Sequence, residues 1–130
     1  MIAIHQLRLM FPPLGPNARH NELYLRAADI IEKLGWARYA LYDTSTGAVC
    51  VMGAFGVAVN GNPNNCPDGP HVAALAKLLE LPPSSQHASS PERGKVVNWN
   101  NRICTSADDV IQGLRRAAAK LAANPLQELL

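Results

Sequence analysis

Ten consecutive residues, Cys50 to Val59, carry no charge and no polar side chain apart from one thiol. A segment that is apolar all round has no face to offer water, so the rest of the chain must wrap around it. Gly53, Ala54, Gly56 and Ala58 are small enough to let neighbouring backbones come close. A Thr44-Ser45-Thr46-Gly47 turn leads directly into the run. We read a buried helix starting near Cys50. Two interior glycines each cost about 1 kcal/mol in a helix, and the period leaves part of the run readable as strand.

On either side of the turn, Arg38 to Asp43 and Ala48 to Val51 read as the two short strands of a β-hairpin. A lone hairpin is barely stable in water and has to lie on helices. Helical spacing supplies them. Leu23, Ala27, Ile30, Ile31 and Leu34 mark one face of a helix from about Ala18 to Leu34, with Asn17 or Asn21 to cap it and Gly35 to end it. Val72, Leu75, Leu78 and Leu79 mark a second over His71 to Leu81. Lys95 to Ile103 reads as a short helix or turn anchored by Val97 and Trp99. Thr105-Ser106-Ala107-Asp108 resembles an acidic capping box opening a last helix through Val110, Ile111, Leu114, Ala117, Ala118 and Leu121. Asn60 to Pro70 is a loop and Ser84 to Gly94 a polar, flexible connector. The expected fold class is therefore α+β and mostly helical, with three or four helices around a small hairpin.

At 130 residues the chain suits one domain, and 48% hydrophobic against 17% charged residues provides enough apolar material for a core. The reading assigns 1–17 to an N-terminal arm, 18–123 to a single globular domain and 124–130 to a tail. Within the arm, Ile2 to Phe11 is a short strand or a loosely tied segment. No run is long and apolar enough to span a membrane. Three cysteines without CxxC or CxxH spacing point to neither a disulfide framework nor a zinc module, which suits a reducing cytoplasm.

No diagnostic catalytic motif is present. The glycines form no nucleotide-binding fingerprint, so no cofactor is expected. The sharpest chemical alternative is a cysteine-dependent hydrolase, with Cys50 as nucleophile near a helix start, His71 as base and Asn100 as orienter. Against it stands the apolar setting of Cys50, which suits a buried core thiol. Cys66 and His71, joined by Asp68 or Cys104, are the candidates for a metal site. Asn98, Asn100 and Asn101 read as caps or as partners for buried backbone. A formal charge of +2 creates no strong field, and Arg115, Arg116 and Lys120 sit toward a helix C-terminus, as the dipole favours. They are the candidates for a nucleic-acid face, which that modest charge disfavours. Leu126, Leu129 and Leu130 could contact a partner or a second copy.

The chain resembles a family of uncharacterised small actinobacterial and actinobacteriophage proteins, known as a domain of unknown function. The likeness rests on the helix ending in Gly35-Trp36, the turn into Cys50-Val51-Met52-Gly53-Ala54, the Val97-Asn98-Trp99-Asn100-Asn101 segment, and the Thr105 to Asp109 cap. Members often carry Trp-Asn-Asp or Phe-Asn-Asp where this chain has Trp99-Asn100-Asn101. The resemblance implies a fold and a source and supplies no mechanism. The expected function is non-enzymatic protein–protein interaction, with a host protein or a second copy as partner.

Overall fold

The computed structural model describes residues 3–67, 69–84 and 90–126. Six α-helices follow in order: α1 (Ile4–Met10), α2 (His20–Leu34), α3 (Val51–Asn60), α4 (Pro70–Leu78), α5 (Pro91–Asn98) and α6 (Ala107–Ala123). A π-helical turn, Trp99–Ile103, extends α5. Every residue of α3 from Val51 to Val59 is buried, as an all-apolar segment requires. Around it, α2 packs against both α3 and α6, while α4 and α5 pack on each other and reach α6 and α3 respectively.

Local chemistry sets the helix ends. Gly35 closes α2 at φ 102°, and Gly61 closes α3 in the left-handed region at φ 72°. The Ser106 hydroxyl caps α6 by accepting the Asp109 amide, and Asp109 Oδ2 accepts from the Thr105 amide and hydroxyl. That reciprocal pair sits one residue later than the Thr105 to Asp108 reading. These bonds hold the exposed Asp109 carboxyl below its ordinary range. Val110, Leu114, Ala117 and Leu121 then face the core, opposite Leu23, Tyr24, Ala27 and Ile31 of α2. Arg115 bridges the two helices on the outside, 3.3 Å from both Asp29 and Glu32.

The α+β expectation is overturned. Among the described residues there is no strand, and six helices replace the three or four expected. The turn itself is present: Asp43 Oδ1 accepts from the Ser45 and Thr46 amides, and Gly47 takes φ 84°. Its flanks do not pair as a ladder. Only two isolated bridges form, Trp36 with Val49 (parallel) and Tyr42 with Val49 (antiparallel). The first flank is broken at Tyr39, whose φ of 62° is left-handed. Its amide goes to the Asn101 side chain instead of a neighbouring strand. The additional helices are α1 and α5, the latter starting ahead of the short helix or turn read over Lys95 to Ile103. Leu7 alone of α1 is buried and ties it to the core, and Pro91 starts α5 at a position where no amide donor is needed.

A Cβ at Gly53 would overlap the Leu41 carbonyl oxygen, so the loop before the turn lies directly on α3. Gly53→Ala is therefore expected to destabilise the fold by about 1–3 kcal/mol despite alanine's better helix propensity. Urea unfolding followed by circular dichroism reads the change.

Candidate functional site

In a regular α-helix successive side chains point about 100° apart, so three in a row rarely share a buried side. The π turn relaxes this. Its closing bond runs from the Cys104 amide to the Trp99 carbonyl at 2.9 Å, and Trp99, Asn100 and Asn101 are all buried. The Trp99 ring lies against Gly113 of α6, where a Cβ would strike it.

Asn100 uses its whole amide. Oδ1 accepts from Trp36 Nε1 at 2.9 Å and from the Val51 amide at 3.1 Å, while Nδ2 donates to the Ala37 carbonyl at 3.1 Å and to Asn101 Oδ1 at 2.8 Å. The Val51 amide is the first donor of α3, which has no intrahelical acceptor. Asn100 thus helps cap α3 from 49 residues away. Cys50 is the formal N-cap, its sulfur accepting from the Gly53 amide at 3.4 Å. Asn101 Oδ1 accepts a second bond, from the Tyr39 amide at 2.9 Å.

This network walls a cleft of about 340 Å³. Tyr39, Leu41, Cys50, Met52, Val96, Val97, Asn100 and Asn101 line it, together with Arg93 and Arg102. None of its described lining residues is acidic. Tyr39 stands at the cleft with 69% of its surface exposed, on a backbone conformation that a bulky residue rarely takes. Arg93 Nη2 donates to Cys66 Sγ at 3.3 Å. Nearby, the Arg38 guanidinium sits 4.7 Å over the Trp36 ring and donates to the Cys104 carbonyl.

Cys50 and Asn100 share this cleft, but His71 is not in its lining. His71 Nδ1 is 2.8 Å from His20 Nδ1 in a second cluster, where the Tyr24 hydroxyl donates to the His71 carbonyl. The nucleophile and base imagined from the sequence thus occupy separate environments. Burial pushes the Cys50 thiol up and raises Cys104 to about 12, so both are kept as neutral thiols. Cys66 faces Arg93, and no group of three metal-ligating side chains occurs among the described residues. Asp68, Leu129 and Leu130 lie outside those residues. Leu126 is 72% exposed. Of the basic candidates, Arg115 pairs with α2, Lys120 Nζ donates to the Leu78 carbonyl at 2.6 Å, and Arg116 lies near Asp108 and Asp109. No helix among the described residues is long and apolar enough to cross a membrane. Tyr39, Arg93 and Arg102 carried no signal in the sequence, because the fold alone brings them together.

A sequence model of a family of unknown function (DUF6197) matches residues 16–120. No curated protein and no solved structure matches the chain.

The geometry of the amides and thiols sets three expected outcomes. Asn100→Ala would strand the Trp36 and Val51 donors and the Ala37 carbonyl, costing about 3 kcal/mol or more, readable by thermal or urea unfolding. Asn101→Asp should keep the fold, because both bonds to that side chain are accepted by its oxygen. Thermal unfolding of this variant beside wild type at neutral pH checks it. Separately, iodoacetamide at neutral pH should label Cys66 in the native protein and reach Cys50 and Cys104 only after unfolding. Fast native labelling of Cys50 would instead favour a reactive thiol.

Proposed function

The chain belongs to the family of unknown function DUF6197, whose model spans most of its length, and from that premise we propose that it is a non-enzymatic protein-binding module. Its recognition surface is the cleft between the Tyr39 loop, the start of α3 and the π turn. The observation that carries this reading is Tyr39 itself. A bulky residue in the left-handed region costs roughly 1–2 kcal/mol, and here it holds an aromatic ring in solvent at the mouth of an apolar-floored cleft. Such strain persists where the surrounding structure enforces it and clusters at binding sites. The enforcing contact is the Asn101 side chain on the Tyr39 amide. Exposed aromatics at the edge of pockets are the residue type that dominates recognition energy.

The resemblance to actinobacterial and actinobacteriophage proteins supports a phage- or actinobacteria-encoded chain and a host protein as partner. The cysteine-hydrolase reading finds no base among the described residues lining the cleft, and burial pushes its thiol's pKa up.

Tyr39→Gly separates recognition from folding. Glycine accepts the left-handed backbone, so stability should stay within about 1 kcal/mol of wild type. Affinity capture from an actinobacterial lysate should lose with Tyr39→Gly the proteins that wild type enriches and keep them with Lys77→Ala, an exposed change on α4. An identical captured set for both variants would refute the cleft as the recognition surface.

A further inference from the structure

Two imidazoles meet where two helices begin. His20 is the first residue of α2, and His71 is the second of α4, behind Pro70. Their Nδ1 atoms are 2.8 Å apart with the rings edge to face, and His20 is only 6% exposed. Tyr24 stacks on His20 and donates its hydroxyl to the His71 carbonyl at 2.6 Å, so both the side chain and the backbone of His71 are tied to α2. Both histidines have further interactions besides these.

At this separation one Nδ1 donates and the other accepts. The bonded pair therefore holds at most three of the four N–H protons that two imidazolium rings carry. The fourth proton turns both nitrogens into donors and sets two positive charges face to face, where two helix N-termini already contribute positive potential. The bonded arrangement binds fewer protons than the parted one, so it is favoured as pH rises and lost as pH falls. Histidine is the side chain that ordinarily gains charge between pH 8 and pH 5.

Charged groups on the surrounding elements are few. α2 adds Arg19 at its cap and Glu22 in its first turn, both exposed, and α3 has no titratable side chain. α4 adds Lys77 in its last turn. From α6, Lys120 reaches the Leu78 carbonyl at the other end of α4, and Arg115 pairs with Asp29 and Glu32. On α5, Glu92 pairs with Lys95 and Arg93 donates to Cys66. Asp68, ahead of α4, lies outside the described residues.

The pair bears on the cleft through α5. α4 packs chiefly on α5 and less on α2, and α5 supplies Arg93, Val96 and Val97 to the cleft lining. We propose that the His20–His71 bond is an acid-released tie that docks α4 and α5 against α2, so that proton uptake by the pair loosens the α5 wall of the cleft. Its consequence for recognition rests on the cleft being the recognition surface; the tie itself does not.

The test follows the full chain by NMR from pH 8 to pH 5, reading the imidazole nitrogens and the backbone amides of α4, Val96 and Val97. In wild type these amides should shift together with the arrival of the fourth proton on the pair. His71→Asn offers an acceptor and a donor as many bonds from the backbone as Nδ1, so its bond to His20 survives whether or not that ring is charged. The variant should match wild type at pH 8 and lose the acid shift, whereas His5→Gln, an exposed change on α1, should keep it. Amides of α4 and α5 that stay in place in wild type while both rings become fully protonated would overturn the inference, and this arm needs no variant. An acid shift that survives His71→Asn would overturn it as well. Amide shifts that His71→Asn removes, beside lysate capture that ignores Tyr39, would uphold the tie and remove the cleft as the recognition surface.

Discussion

The structure depends on one side-chain amide. Asn100 satisfies an indole donor, a helix-start donor, a backbone carbonyl and a neighbouring amide oxygen, which lie in three stretches of chain. Through Trp36 and Ala37 it holds the segment leaving α2, and through Val51 it holds the entry to α3. Its own position is set by the π turn. In a low-dielectric interior a polar group either finds its partners or costs the full loss of hydration, so this network is satisfied as a unit or not at all. The core around it is apolar and adaptable. The amide is what makes one arrangement of these segments better than the others.

Helix-forming signals were legible in the sequence wherever the apolar period ran for several turns. The faces of α2 and α6, the glycine ending α2, the start of α3 after Cys50 and the tight turn at Gly47 all follow from local rules. The strands did not survive, and the reason lies far away in the chain. Tyr39 and Tyr42 have strand-like character, but the Tyr39 amide is claimed by Asn101, 62 residues later, and Val49 pairs with two different segments. Local propensity cannot see a competitor that tertiary folding brings in. α1 and the first turn of α5, before Lys95, were missed for a different reason. One is held by the single buried residue Leu7, and the other buries only Gly94 and Val96. Neither makes the stripe that periodicity detects.

The site was less legible than the fold. Reading the asparagines as caps and as partners for buried backbone describes what Asn100 does, although the helix it serves is distant. The linking of Cys50 with His71 followed residue type and chain order. Chain order says nothing of distance, and α4 carries His71 to His20 instead. The arginines of the cleft are ordinary surface residues in the sequence, one on α5 and one on the π turn. Only the widened turn aligns Arg102 with Asn101 and the start of α3. A π turn that interrupts a helix is rare and frequently marks a functional position, where it presents consecutive side chains that a regular helix would spread apart.

The asymmetry of Asn101 separates what the fold needs from what the cleft offers. Both structural bonds to this side chain end on its oxygen, so the fold requires an acceptor there and nothing more. An aspartate would supply the same acceptor. The difference falls entirely on the second atom. With asparagine the second atom is a donor, on a cleft that Arg93 and Arg102 also line. With aspartate it presents a carboxylate to the same arginines, which would be neutralised from within and leave no attraction for an incoming negative group. One position can therefore change the charge preference of the cleft without touching the core beneath it. This separability is what an interaction surface built on a rigid helical scaffold requires.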